Sequence, residues 1–413
     1  MKSRKITVLV ALALASGFLI SACGKSTDKK SSGEEEPSSE LLSSEEEEET
    51  IPTTAEPNPS YVEPTDESLT YYQKELGAIP GWTYEDGSDI PKQKDPIPMG
   101  LGNASNGGFA TANEDYQFFV AHPQKHITTI EMEDSKTGDQ YCIYTVKPQK
   151  DVESTIDSMI LNGDDLYFRE NSSKVKKLDL NTHYVETIFE GEAGLLTMYQ
   201  DMLYFYMDGS IRRMDMDGNN EEVLFTSNNP DGPVNVPFCI SGGTIYYTDP
   251  QHAGDDGLYY GKLYSMDLDG NNQVELPIQA KVSNSDTFFS DGEKLYFRGW
   301  SNWDDGSDFK GNMSIRPDGS DITLYEHEDA AQMNYSNGTL YMIWMDSLWM
   351  IDGNNKYEID CCTDDLRDTL KLEGVVIVGN WIYAMSSHPM FRSGYVTSRT
   401  IDETNIIICL DAP

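Results

Sequence analysis

Two segments of this chain carry the residue types of a calcium loop, "MDMDGNN" at 214–220 and "MDLDGNN" at 266–272. An EF-hand-type loop places oxygen ligands at positions 1, 3 and 5, glycine at 6 and a bidentate glutamate at 12. Counted from Asp215, the glycine arrives at position 4 as Gly218, and position 12 is Thr226. Counted from Asp267, position 12 is Ile278. Both copies fail the same test, so the residues point to no resident metal. Asp-Gly and Gly-Asn between strand-like runs are instead favoured hairpin turns, because glycine and asparagine tolerate positive φ. "RPDGSD" at 316–321 and "IDGNNK" at 351–356 are turns of the same kind.

Other reactive residue types are equally unconstellated. The six histidines contain no HExxH and no Cys-His cluster with zinc spacing. No Gly-x-Ser-x-Gly elbow occurs for a serine nucleophile. A glycosidase needs only paired carboxylates. With 70 acidic residues, however, some pair falls at a suitable distance by chance, so abundance is no evidence. No cofactor is implied. Of the six cysteines, Cys142, Cys239, Cys361, Cys362 and Cys409 follow Cys23 at irregular spacing, which is no disulfide framework. Cys239 and Cys409 lie in apolar runs and read as buried thiols.

Any site must be positioned by the elements around it, and the chain begins with none. Lys2, Arg4 and Lys5 precede an apolar run, Ile6 to Ile20, that is shorter than the roughly 20 residues of a membrane span. Residues 1–22 therefore read as a signal peptide. "ISAC" resembles the lipobox of bacterial lipoproteins, a resemblance that implies lipid attachment at Cys23 and a location on the bacterial cell membrane, facing outside the cytoplasm. Residues 23–67, rich in Ser, Glu, Pro and Thr, form an acidic tether that cannot bury enough apolar surface to order itself. With the leader at +3 and the tether at −11, −32 of the total −40 falls on the remaining 346 residues. That charge argues against nucleic acid and anionic head groups as partners, since both need basic patches.

After an irregular lead-in at 68–100, the domain at 101–413 repeats a phrase in which a turn leads into an aliphatic residue and then aromatics. The instances are "GDDLYFR", "QDMLYFY", "GGTIYYT", "GEKLYFR", "NGTLYMI" and "GNWIYAM", with a weaker "NEDYQFFV" before them. The aliphatic anchors Leu166, Leu203, Ile245, Leu295, Leu340 and Ile382 stand 37, 42, 50, 45 and 42 residues apart. Between anchors come runs of four to eight residues, rich in β-branched and aromatic side chains and bounded by Gly, Asp or Asn. These are short strands and turns. Four antiparallel strands per repeat at this period predict an all-β fold, a β-propeller of seven four-stranded blades, with six as the alternative.

Aliphatic-Tyr-Tyr followed by "KLYSMDLDGNN" and an apolar strand resembles the YWTD propellers of low-density-lipoprotein-receptor relatives. It is more similar still to a bacterial family named after them whose function is unknown. The resemblance covers residues 103–410. It departs from the eukaryotic pattern in lacking a regular Trp-Thr-Asp after the aromatic.

In an up-and-down blade, the first-to-second and third-to-fourth connections share one face, which here carries the short uniform turns. The second-to-third connections vary. Two of them, "PQHAGDDGLYYG" at 250–261 and "GWSNWDDGSDFKGN" at 299–312, belong to consecutive repeats and should adjoin on one rim. They supply Tyr259, Asp255, Asp256, Trp300, Trp303, Asp304, Asp305 and Asp308. Aromatics beside carboxylates on long loops suit recognition of sugar or peptide. The expectation is a membrane-anchored binding module for envelope carbohydrate or protein. The alternatives are an envelope glycan hydrolase working on the same face and a purely structural surface protein.

Overall fold

The computed structural model describes residues 97–124, 127–136, 139–146, 155–229, 234–254, 257–283, 287–302, 308–327, 330–344, 347–352, 355–359, 372–379, 381–386, 398–400 and 405–409. Cys23, the leader, the tether and the Cys361–Cys362 pair lie outside them. Among the described residues every regular element is a strand, and no helix is long and apolar enough to cross a membrane.

In chain order, a first four-stranded sheet comprises β1 (Ala110–Ala112), β2 (Tyr116–Gln124), β3 (Ile127–Asp134) and β4 (Gln140–Thr145). The second holds β5 (Ile156–Asn162), β6 (Asp165–Glu170), β7 (Lys174–Asp179) and β8 (Val185–Glu190). The third holds β9 (Gly194–Tyr199), β10 (Met202–Met207), β11 (Ser210–Asp215) and β12 (Glu222–Thr226). A nine-stranded sheet follows. Its strands are β13 (Phe238–Ser241), β14 (Thr244–Ala253), β15 (Tyr259–Asp267), β16 (Val274–Glu275), β17 (Lys281–Ser283), β18 (Phe288–Ser290), β19 (Leu295–Asn302), β20 (Asp308–Ile315) and β21 (Thr323–His327). Two more four-stranded sheets complete the order. One is β22 (Ala330–Ser336), β23 (Thr339–Trp344), β24 (Ser347–Asp352) and β25 (Asn355–Ile359). The other is β26 (Leu372–Val378), β27 (Trp381–Ser386), β28 (Ser398–Thr400) and β29 (Asn405–Cys409), with β29 between β27 and β28.

Apolar clusters join each sheet to the next. Tyr167 and Val175 of the second sheet pack with Leu203, Phe205 and Met214 of the third, and Tyr204 and Ile211 of the third pack with Phe238, Ile245 and Tyr247. Phe289 and Tyr296 meet Met333 and Met342, and Tyr341 and Ile343 meet Val375 and Ile382. The last sheet then packs on the first, with Val376, Trp381 and Tyr383 in one cluster with Phe118 and Phe119, and Phe168 of the second sheet shares that cluster. The Tyr383 hydroxyl donates to Gln117 Oε1 across that junction. Sheets that succeed one another face to face and return to the first make a propeller-like arrangement. Each sheet is thereby buried on both faces, which is why Leu166, Tyr167 and Phe168 are all buried in succession rather than alternating with solvent-facing residues. All six aliphatic anchors are buried. Each such side chain contributes about 1.5–3 kcal/mol through the surface it removes from water.

The DGNN segments are hairpins between third and fourth strands. Asp215 Oδ1 accepts from the backbone N–H groups of Asp217 (3.1 Å) and Asn219 (2.7 Å), and its Oδ2 accepts from Asn220 Nδ2 at 2.8 Å. Asp267 repeats this with Asp269, Asn271 and Asn272. The carboxylates that looked like metal ligands are thus occupied in holding their own turns.

Cys142, on β4, is half-buried, with its Sγ beside Tyr144 O and Thr145 Oγ1. Burial, reinforced by the Glu131 carboxylate, pushes the thiol up to about 12. At pH 8 its thiolate population is then on the order of a thousandfold below that of an ordinary cysteine near 8.5. Iodoacetamide at pH 8, followed by peptide mass spectrometry, is expected to leave Cys142 essentially unlabelled in the folded protein and label it fully in urea. Equal labelling rates would contradict this burial.

Candidate functional site

Before β1 the chain runs along the inner edges of several sheets as a strap, residues 97–109. Its path is dictated by asparagines that substitute for strand partners. Asn103 Nδ2 donates to Ile377 O at 2.7 Å while its Oδ1 accepts from Ile377 N at 2.8 Å, a pairing like that of a neighbouring strand. Asn334 Nδ2 also donates to Asn103 Oδ1, at 2.8 Å. Asn106 Nδ2 bridges two sheets by donating to Met333 O (2.8 Å) and Val375 O (2.9 Å). Farther on, Ser158 N and Met159 N donate to Gly107 O and Gly108 O. Inner-edge backbone groups that would otherwise be buried without partners are satisfied by this segment.

Beside the strap lies a cavity of about 350 Å³. Its walls are the starts of first strands and the ends of second strands: Ile156 and Asp157 of β5, Leu195 of β9, Gln332 of β22, Arg169 of β6, Tyr206 of β10 and Met385 of β27. Asn235 and Pro237 add the run into β13, and residues 104–107 of the strap close the axial side. The cavity therefore sits at the axis, on the face opposite the DGNN turns. Two first strands bulge there. Ser158 and Leu195 have φ of +55° and +48°, and register shifts accompany them between Asp157 and Ile160 and between Tyr204 and Tyr206. Bulges of this kind re-aim side chains at the rim of a sheet. At Gly194 a Cβ would stand 2.2 Å from the Tyr206 ring, so glycine there lets that ring lie against the backbone.

The charges in the cavity cancel. Arg169 grips Asp157 with both arms, Nε to Oδ1 at 2.5 Å and Nη2 to Oδ2 at 2.7 Å, and its Nη1 donates to Ala193 O. The fork is a cross-strand pair within the second sheet, and the bond to Ala193 O ties that sheet to the start of the third. Asp157 is the one carboxylate among the described lining residues.

The residues expected from the sequence lie apart from this cavity. Trp300 is near the end of β19, partly buried, with its ring edge-on to Tyr260 at 6.3 Å between centroids. Lys281 Nζ lies 5.3 Å over the Trp300 ring and Lys310 Nζ 5.7 Å over Tyr260. The indole Nε1 is buried with no partner among the described residues. Tyr259 begins β15 opposite Ala253, and Asp308 begins β20 opposite Asn302. Trp303, Asp304, Asp305, Asp255 and Asp256 lie outside the described residues.

The two long connections are largely strand rather than loop. β14 and β15 extend to Ala253 and from Tyr259, while β19 and β20 extend to Asn302 and from Asp308. They adjoin through β17, which pairs Val282 with both Gly261 and Gly299. Gly299 permits that seam, since a Cβ there would stand 2.5 Å from Lys281 O of β17, while a Cβ at Gly261 would stand 2.1 Å from Asp249 O on the neighbouring β14.

Sequence reading missed Asp157, Arg169, Tyr206, Asn235 and Gln332. The one available signal was the polar or aromatic residue that closes the repeated phrase, Arg169 in "GDDLYFR" and Tyr206 in "QDMLYFY".

Five four-stranded sheets and one of nine strands, packed in succession around a shared cavity, define a propeller-like protein. No family model matches the chain, and no curated protein matches it. Among solved structures it is similar to a chain of the nidogen/laminin complex, at 15% identity over 59% of this chain and 92% of that one with a TM-score of 0.38. It is similar to BamB from Moraxella catarrhalis at 11% identity over 74% and 83%, with a TM-score of 0.42. The β-propeller domain of the Trilobed protease from Pyrococcus furiosus is 14% identical over 68% and 90%, with a TM-score of 0.44. At these values the likeness assigns no activity.

Proposed function

We propose that this chain is a bacterial lipoprotein, anchored through Cys23 and facing outside the cytoplasm, whose seven-bladed propeller binds envelope carbohydrate or protein. The nine-stranded sheet supports seven blades when divided into β13–β16 and β18–β21, four strands each, with β17 bridging β15 and β19 between them. The acidic tether would hold the propeller away from the membrane.

The observation that carries the binding reading is the axial cavity, which faces the same side as the Trp300 seam and is built by several sheets at once. Pockets of roughly 300–1,000 Å³ with an apolar lining and a few convergent polar groups are where small ligands bind. A retaining or inverting hydrolase would need a second carboxylate beside Asp157 and a free one, whereas Asp157 is held by Arg169.

The test uses the full chain with Cys23→Ala, to make it soluble, on a glycan array and with solubilised envelope fragments. Binding is expected, and the Trp300→Ala and Trp303→Ala double variant is expected to weaken it about tenfold, as for a tryptophan anchor. Absence of binding, or binding indifferent to both the rim and the cavity, would overturn the reading. Anchoring is checked separately, by incorporation of labelled palmitate into the wild type and its loss in Cys23→Ala.

A further inference from the structure

Resting on that reading, we infer that the axial cavity takes the acetamido group and ring of a neutral N-acetylated hexose. Three features of the cavity select this class. First, its only described charges, Asp157 and Arg169, neutralise one another, so neither an anion nor a cation is matched there. A neutral ligand also escapes the penalty that the chain's net charge of −40 places on anionic ones.

Second, the uncommitted polar groups complement a secondary amide. Gln332 spends its Oε1 on Val375 N at 3.2 Å, which leaves its Nε2 as a donor for a carbonyl oxygen. Asn106 is only 3% exposed, and its Nδ2 serves Met333 O and Val375 O. Its Oδ1 has no partner among the described residues and is buried away from the cavity space, so the acceptor for a ligand N–H falls to Asn235. Asn235, exposed at the cavity mouth, adds a second amide.

Third, the remaining walls are apolar. Phe109, Val120, Ile156, Leu195 and Met385 offer a surface for a methyl group. The Tyr206 ring, laid against Gly194, is an aromatic wall of the kind on which a pyranose packs its C–H face.

The experiment is calorimetric titration of the full Cys23→Ala chain with N,N′-diacetylchitobiose, with cellobiose as the same disaccharide scaffold lacking acetamido groups. The acetylated sugar is expected to bind at least tenfold more tightly. Asn235→Ala and Gln332→Glu are each expected to weaken it about tenfold while leaving cellobiose unchanged. Asn235→Ala removes no side-chain hydrogen bond among the described residues, and Gln332→Glu keeps the acceptor for Val375 N, so both should retain the wild-type circular dichroism and melting curve. Equal affinity for the two sugars, no affinity for either, or indifference to both variants would overturn the inference. If envelope fragments still bind in a manner sensitive to Asn235→Ala or to the tryptophan double variant, the binding-module reading survives that loss. If they do not bind, it falls as well.

Discussion

Replacing Gly218 by alanine is expected to cost roughly 2–5 kcal/mol of stability, the sum of a left-handed backbone forced on an L-residue and a steric collision. Gly218 has φ of +78°, and a Cβ there would stand 1.9 Å from the carbonyl oxygen of Ile188, on β8 of the preceding sheet. That obstacle is backbone and cannot rotate away. The turn glycines of later repeats meet carbonyl oxygens less tightly, Pro277 O at 2.3 Å from Gly319 and Leu224 O at 2.7 Å from Gly270. Gly163, with φ of +61° and nothing within 4 Å, supplies the control in which only the backbone cost applies. Urea denaturation of the four alanine variants should rank Gly218 as most damaging, then Gly319, Gly270 and Gly163. If Gly163→Ala proves as costly as Gly218→Ala, the collision is not what matters, and the turns do not brace one sheet against the next.

The second large effect is expected at Asn103. Alanine there removes the acceptor of the Ile377 N–H and of one Asn334 amide proton, and removes a donor to Ile377 O. Gly100 N still donates to Ile377 O, and Asn334 Nδ2 keeps Val375 O, so the Ile377 N–H is the group left fully orphaned. A buried orphan costs about 1–3 kcal/mol, and the lost bonds around it bring the expected total to about 2–4 kcal/mol. Asn220→Ala, which removes one amide–carboxylate bond on an exposed turn and leaves alanine at φ of +56°, should cost about 1 kcal/mol. The same denaturation series measures both. A loss at Asn103 no larger than at Asn220 would mean that the strap is not a structural member of the ring.

These two sites show different degrees of legibility. Gly218 was visible in the sequence as a hairpin glycine, because Asp-Gly between strand-like runs carries its own local reason. Its contact with Ile188 was not, because that depends on the angle between successive sheets. The aliphatic anchors were legible because burial on both faces enforces the same apolar triplet in every repeat. Asn103 and Asn106 looked like ordinary loop residues in "LGNASNGG", and nothing nearby in sequence announces that Ile377 and Met333 need partners. The long connections misled in part: Gly, Ser and Asp in "GWSNWDDGSDFKGN" suggest a loop, yet ladder pairing with the opposing strand carries β19 to Asn302 and resumes β20 at Asp308.

The sequence by itself determined the all-β repeat, the position of each second strand, the face that carries the uniform turns, and the exclusion of an EF-hand-type calcium site. Those properties follow from local periodicity and turn chemistry, which act over a few residues. Only the tertiary structure decided that Asp157 and Arg169 neutralise each other, that Tyr206 lies over Gly194, and that an asparagine strap closes a cavity at the axis. The first two are cross-strand pairs set by the bulged register of β5 on β6 and β9 on β10, the third joins residues as many as 274 positions apart, and no local pattern records such meetings.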